Sequence, residues 1–430
     1  MKKYLKKLPK EVQDFIHLIA EVAALRGMRV YLIGGFVRDL MLGAKNLDLD
    51  IVVEGDGIIF AEDLAGRLKA RLIKHRRFAT ATVIIGHNLK VDIATARSET
   101  YPEPAALPLV EPGCVNEDLK RRDFTINAMA IDINGSSYGS LVDIFAGKND
   151  LAKKKIRILH DLSFIDDPTR ILRAVRFEKR YNFRIEPRTL KLLKAAVRKK
   201  MLEIVQPQRV RDELILLLKE NDPICRLKRL HNLVGFSFIN RRLKLTKSNY
   251  QLLKSAEGEI SWYNRVHSRR RPLDSWLIYF MALLDPLSVA DTQEVCAKFV
   301  LRKGEEKRIL SYKKIDKKFI SELSNLRLKP SRIFQLLEPL SYETILLIKA
   351  KYGSPGVRKH IEEFLKIYNG MRIYISGHHL QSLGIEPGPV YQEIFTKVLE
   401  AKLNGLVKTE QEELALIKEL TKTETGYGKA

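Results

Sequence analysis

Residues 31–55 read YLIGGFVRDLMLGAKNLDLDIVVEG, and this stretch limits the fold more than any other. Asp48 and Asp50 stand one residue apart inside an apolar run, Leu47, Leu49, Ile51, Val52 and Val53, that reads as a buried strand. Side chains alternate across a strand, so both carboxylates project from one face. Unpaired carboxylates on a half-buried strand are costly, and a pair of hard divalent cations, Mg²⁺ foremost, meets them well through oxygen ligation. Upstream, a strand over 29–33 runs into Gly34-Gly35 and a helix over 36–42. Two glycines between strand and helix let a phosphate approach the backbone N–H groups and the helix N-terminus.

The surrounding chain alternates helix and strand. Val12, Phe15, Ile16, Ile19 and Ala20 recur at helical spacing within 11–25, a second helix is predicted over 58–72, and strands over 80–85 and 89–93. Together these imply an α/β sheet of modest size. Asp92 lies on the last of these strands, and a two-metal site needs more than two carboxylates. If that strand lies beside the first, Asp92 completes a triad with Asp48 and Asp50. Residues 99–118 are rich in proline and glutamate and lack periodicity, so they read as a functional or disordered loop.

The chain has 430 residues, too many for one compact core, so two to four domains are expected. Lysine and arginine number 76 against 52 acidic residues, a net +24, which points to a polyanion and first to nucleic acid. A membrane surface is the rival partner, but there is no lipidation motif or amphipathic basic anchor. The longest apolar stretch, 276–284, falls well short of the ~18 residues a spanning helix requires. The basic N-terminus lacks an apolar segment, so it is not read as a secretory signal. Cys114, Cys225 and Cys296 lie far apart without C-x-x-C pairing, which argues against zinc or disulfides and for a reducing cytoplasm.

GGFVRD followed by DLD resembles the catalytic motif of the nucleotidyltransferase superfamily, in the form carried by bacterial tRNA CCA-adding enzymes (class II) and their poly(A) polymerase relatives. The resemblance places the third catalytic carboxylate at Asp92 and makes 99–118 a loop that switches nucleotide choice. LKRRDFTINAMAI, 119–131, is similar to the family's second motif, whose Arg-Asp pair, here Arg122 and Asp123, contacts the ribose of the incoming nucleotide. The carboxylate accepts from ribose hydroxyls, and the guanidinium holds either that carboxylate or a phosphate; Asn127 is a helix-internal hydrogen-bonder or a further contact. In LVDIFAGKNDL, 141–151, Asp143 and Gly147 shape a turn.

FIDDPTRILRAVRF, 164–177, resembles the family's amino-acid template motif, E-D-x-x-R, with Asp166 where many members have Glu. Asp167 suits an N-cap and Pro168 the first helical position. Arg170, Arg173 and Arg176 recur every third residue along one side of the helix, and a triphosphate would neutralise them. Cytosine and adenine each present an amino donor beside a ring-nitrogen acceptor. A carboxylate and a guanidinium, Asp167 and Arg170, therefore admit C and A and leave buried groups unpaired against U and G. IVQPQRVRDELILLLK, 204–219, is similar to the fifth motif, where Arg209 and Glu213, four apart, are expected to pair.

The expected fold is α+β: a small nucleotidyltransferase-type mixed α/β head over 1–155, then an all-helical neck (156–220), body (221–325) and tail (326–430). Basic clusters at Arg269, Arg270 and Arg271, at Lys313, Lys314, Lys317 and Lys318, and along 191–200 suit phosphate tracking on a folded RNA. Residues 375–409 resemble the tail that meets the tRNA elbow, with His378 and His379 read as a helix start. The resemblance thus implies template-independent addition of C and/or A to the tRNA acceptor end from CTP and ATP. Asp48, Asp50 and Asp92 would hold two Mg²⁺ ions; Gly34, Gly35 and Arg38 would cradle the triphosphate. Alternatives are CC-adding-only or A-adding-only enzymes, a poly(A) polymerase, and a non-catalytic RNA-binding protein.

Overall fold

The computed structural model describes residues 1–44, 48–86, 89–267 and 270–424; Leu47 of the first motif and Arg269 of the first basic cluster lie outside the described residues. The chain divides into two compact units, 1–238 and 239–430. Expected boundaries at 155 and 220 fall inside the first unit, and the one at 325 inside the second.

After a single turn at Lys2–Leu5, the first unit forms a long helix, Lys10–Leu25 (α1), whose buried stripe of Phe15, Ile16, Ile19, Val22 and Ala23 follows the predicted spacing. Then come Arg29–Ile33 (β1), Gly35–Leu42 (α2), Leu49–Glu54 (β2) and Gly57–Leu68 (α3). The helix expected to reach residue 72 stops at Leu68, because Lys69 turns left-handed with φ 49°. The chain then returns as an edge strand, Arg71–His75 (β3), whose first two residues fall within the predicted helix and whose remainder was not predicted. Thr80–Ile85 (β4) and Leu89–Thr95 (β5) follow, then a hairpin of Arg97–Thr100 (β6) and Leu109–Pro112 (β7), a helix, Val115–Lys120 (α4), and two short strands, Ala130–Asp132 (β8) and Ser140–Val142 (β9). Of the expected loop at 99–118, much is therefore ordered as hairpin and helix.

Seven strands form one mixed sheet in the order β3-β4-β5-β2-β1-β8-β9. Within it β2 and β5 run parallel, with Asp50 opposite Asp92, while β1 is antiparallel to β2. Tyr31, Ile33, Val52 and Ala130 from the sheet pack against Val115 and Leu119 of α4, which anchors the polar end of the sheet to an apolar core. Beyond it, Asp143 accepts from the N–H groups of Gly147 (2.6 Å) and Lys148 (2.9 Å), forming the expected turn. The unit closes with helices that include Arg170–Arg180 (α5), Pro207–Lys219 (α6) and Pro223–Leu233 (α7).

Among its described residues the second unit is helical and has no strand. Its helices include Lys247–Val266 (α8), Ser275–Leu283 (α9) and Tyr342–Tyr352 (α10). Every residue of α9 from Trp276 to Leu283 is buried, so the apolar run is a core helix. Lys349 of α10 is 1% exposed, yet its ammonium meets Glu259 and Glu362 at 2.8 Å each and lies 3.4 Å from the centre of the Trp262 ring. A buried charge so compensated is tolerable, whereas losing one partner would be costly. His379 lies in the first turn of the helix Gly377–Ser382 and its ring caps Ser376, the helix start expected there. Among the described residues, no helix is long and apolar enough to cross a membrane.

Candidate active site

A cavity of about 640 Å³ opens between the β1–α2 turn, the β6–β7 hairpin, α5 and α6, and Asp48 and Asp50 line it together with Asp167 and Arg170. The β1–α2 turn forms one wall. Gly34 has φ +65°, which calls for glycine's backbone freedom, and a Cβ there would lie 2.2 Å from Arg122 Nη1, so any other residue would also displace that guanidinium. A Cβ on Gly35 would lie 3.8 Å from Asp50 Oδ2, which sets the first turn of α2 beside the carboxylate.

Asp50 is held under electrostatic tension. Burial pushes its carboxyl up to about 6, with Asp92 and Asp48 adding to the rise and Arg122 opposing it. Asp92 accepts from Thr82 Oγ1 at 2.6 Å and pairs with Lys90 at 2.7 Å, so its side chain lies over a neighbouring hollow on the sheet face, which Asp50 also lines. All three carboxylates act on the Lys90 ammonium and raise its pKa, its hydrogen bond to Asp92 contributing most. A lysine side chain thus stands where a cation would relieve the crowding. Among the described residues no three His, Cys, Asp or Glu side chains are already gathered as a metal cage. The donors are nonetheless all carboxylate oxygens, Asp50 and Asp92 on adjacent strands and Asp48 just before the first of them, a set suited to hard divalent ions.

Arg38 of α2 is buried; it pairs with Asp39 at 2.8 Å, donates to Asn127 and stacks 4.6 Å from the Tyr181 ring centre. Asn127 lies in a short 3₁₀ turn and donates to Asp123 at 2.9 Å, so it bridges two predicted site residues outside any α-helix. Arg122 does not pair with Asp123. It meets Asp118 at 2.9 Å, and Arg122 with Arg121 holds that buried carboxyl below its ordinary range although burial opposes them. Asp123 is instead clasped by Arg173 at 2.6 Å and by the N–H of Phe124 at 2.8 Å. Burial works against its ionisation, but Arg173 and Asn127 outweigh it and lower the pKa.

The template segment departs from expectation at its start. The helix proper begins at Arg170, and Asp167 caps the turn before it by accepting from Thr169 N (3.1 Å) and Thr169 Oγ1 (2.6 Å). The expected Arg209–Glu213 pair does not form. Arg209 reaches back to Asp167 at 2.9 Å, and Glu213 receives Arg173 at 2.8 Å and Arg176 at 3.1 Å. Protein carboxylates therefore supply much of the neutralisation that the arginine row was expected to take from a triphosphate. Arg170 donates to Ser163 Oγ (2.6 Å) and to the carbonyl of Arg121 (2.7 Å), which fixes its plane and leaves further N–H donors.

Sequence reasoning passed over Glu99, Tyr101 and Arg121. Glu99 accepts from Arg97 (2.8 Å) and Arg121 (3.2 Å), and Tyr101 donates to it at 3.2 Å. Burial pushes the Tyr101 hydroxyl up to about 12 and keeps it a donor beside Arg170 and Asp167. The basic doublet before Asp123 was a signal for Arg121; the hairpin residues carried none, because only tertiary pairing brings β6 to the cavity.

A mixed sheet with paired aspartates at the start of its central strand and a Gly-Gly turn beside them defines a nucleotidyltransferase domain, and residues 30–157 match the Poly A polymerase head domain. An A-adding tRNA nucleotidyltransferase of Halalkalibacterium halodurans is 33% identical over 93% of this chain and 91% of its own length. Another from Geobacter sulfurreducens is 36% identical over 95% of the chain, which spans 47% of that relative. A Thermotoga maritima CCA-adding enzyme solved with tRNA has a TM-score of 0.72 at 34% identity, covering 98% of both chains. The chain belongs to the bacterial class II tRNA nucleotidyltransferases of the tRNA nucleotidyltransferase/poly(A) polymerase family. Divalent metal ions are the general requirement of nucleotidyltransferases.

Proposed function

We propose that this protein is a cytoplasmic enzyme that adds C and/or A to the 3′ end of tRNA without a nucleic-acid template, using CTP and ATP and releasing pyrophosphate. The observation that carries the reading is the sharing of one cavity by the Asp48–Asp50 pair and the Asp167–Arg170 pair. Base choice and phosphoryl chemistry then occur in a single bound nucleotide. Asp167 binds Arg209 and Thr169 through Oδ1, and among the described residues Oδ2 has no hydrogen-bond partner. That oxygen accepts from the amino group of C or A, and Arg170 donates to the neighbouring ring nitrogen. Uracil and guanine would leave both groups unpaired, which costs roughly 1–3 kcal/mol per buried group.

Backbone N–H groups of the Gly34-Gly35 turn and Arg38 hold the triphosphate. Arg173 and Arg176, already paired with carboxylates, orient those carboxylates and add positive potential to the phosphate end. Arg122 bears on Asp50 and on the phosphates, while Asp123, fixed by Arg173 and Asn127, supports the ribose subsite. Asp48, Asp50 and Asp92 would hold Mg²⁺, which supplies polarisation of the attacking hydroxyl and of the phosphate oxygens.

Incorporation of each of the four nucleotides into tRNA transcripts ending before and after the two cytosines tests the proposal. CTP and ATP are used and UTP and GTP rejected if it holds; equal use of all four, or none in any transcript, would overturn it. The A-adding relatives favour a narrower second reading, terminal A alone, for which only transcripts ending in CC would be extended. Runs of added A would instead indicate a poly(A) polymerase.

A further inference from the structure

At the far end of α5 lies a second cavity, of about 710 Å³, walled by α5, α6 and the start of α7. Arg170 and Arg180 are ten residues apart, so about 15 Å of helix separates this cavity from the base-selecting end. The two cavities share Arg176 and Arg180. Five cations line the second, Arg176, Lys179, Arg180, Lys219 and Arg226, against two carboxylates, Glu220 and Asp222.

Two carboxylates are fewer than the five cations they face, although Arg176 also pairs with Glu213 at 3.1 Å. Asp222 accepts from the N–H of Cys225 at 3.0 Å as the N-cap of α7. Glu220 is divided among Arg180 at 3.4 Å, Arg226 at 3.6 Å and Arg176 at 3.7 Å, each looser than the ~2.7–2.9 Å of a good charge-assisted hydrogen bond. Arg226 is 5% exposed and donates to the carbonyls of Asn221 and Asp222, and its Nε–H has no partner. Lys179 and Lys219 have no ion-pair partner among the described residues. Like charges gathered at this density repel at close range unless an anion enters.

We infer that this cavity is a second phosphate site, distinct from the nucleotide cavity and joined to it through Arg176 and Arg180. Guanidinium forks and ammonium groups around one space are the chemistry of phosphate recognition. The inference rests on the proposed nucleotidyl transfer for the phosphate's source: either the pyrophosphate that leaves the first cavity or a backbone phosphate of the RNA.

Lys179 and Lys219 line only the second cavity and are at least partly exposed, so Lys179→Ala/Lys219→Ala should fold normally, checked by its thermal melt. Calorimetric titration of the full chain with inorganic pyrophosphate, and tRNA binding measured across a salt series, read the two sources separately. A pyrophosphate site predicts a five-fold or larger rise in the pyrophosphate Kd with tRNA binding unchanged. An RNA-phosphate site predicts weaker tRNA binding and a log K against log salt slope shallower by about 1–2, with pyrophosphate binding unchanged. Unaltered binding of both would overturn the inference. Neither titration depends on turnover, so nucleotide incorporation by the unsubstituted protein, measured alongside, tests the proposed activity separately.

Discussion

Asp50 and Asp92 are register partners on adjacent parallel strands, and the proximity of Asp92 helps to raise the carboxyl of Asp50 to about 6, burial being the larger cause. Two negative charges held this close in a partly dry site make metal-free protein reluctant to ionise fully. Proton and cation therefore compete for Asp50. Divalent-metal affinity should fall as pH drops below about 6, approaching ten-fold per unit for a single competing proton. Mg²⁺ or Mn²⁺ titration between pH 5 and 8 checks this, and a flat affinity would show that Asp50 is no ligand.

The same shift has a consequence for folding. The pKa of Asp50 in the folded chain lies above its ordinary 3.8, so ionisation destabilises the fold above about pH 6, and the penalty fades as pH falls toward 4. Asp50→Asn removes that penalty. The metal-free variant should be more stable at pH 7.5 by about 1–3 kcal/mol, with no gain near pH 4, while nucleotide incorporation falls by at least a hundred-fold. Chemical denaturation at the two pH values supplies the measurement.

Arg209 holds Asp167 from outside the template segment. Arg209→Ala should leave Asp167 present but free to rotate, so discrimination against UTP and GTP weakens by about ten-fold or more, in keeping with the ~1–3 kcal/mol of an unpaired buried polar group. Relative kcat/KM for the four nucleotides gives the answer. An unchanged ratio would remove Arg209 from base selection.

Arg173 joins Asp123 to Glu213. Replacing it with Met leaves the buried Asp123 without its ion-pair partner and Glu213 with Arg176 alone, and a loss of about 3 kcal/mol is expected. Asp123 should then titrate higher than in the unsubstituted protein, so the deficit shrinks as the pH is lowered through the carboxylate range. Urea unfolding of Arg173→Met at pH 5 and pH 7.5 tests both points.

Gly34→Ala places a methyl group where Arg122 Nη1 now lies and asks a non-glycine residue to hold φ +65°. Incorporation should fall by at least ten-fold with a raised KM for nucleotide, because Arg122 must withdraw from the turn. Wild-type kinetics would show that the turn tolerates displacement.

Much of the sheet was legible because its signals are local. The alternation around Asp48 and Asp50, the Gly-Gly turn and the helical stripe of α1 each follow from residues a few positions apart. The edge strand β3 was not, since its apolar content is slight and nothing before Lys69 announces the left-handed turn. Predicted site residues were largely brought together, but two partners were not foreseen: Arg122, read as holding either Asp123 or a phosphate, meets Asp118, and Arg209 meets Asp167 in place of Glu213. Spacing along a helix finds neighbours on that helix, and Asp167 comes to Arg209 from another element; Asp118, four residues before Arg122, was within reach of such spacing and was passed over.

The parallel alignment of β2 with β5 imposes a rule of parity. Orientation repeats every two residues along a strand, so inserting one residue between positions 89 and 92 would turn the third aspartate toward the opposite side of the sheet, and inserting two would turn it back. Insertions at the turns that join α3, β3 and β4 are free of this rule, because they leave the alignment of β2 with β5 in step.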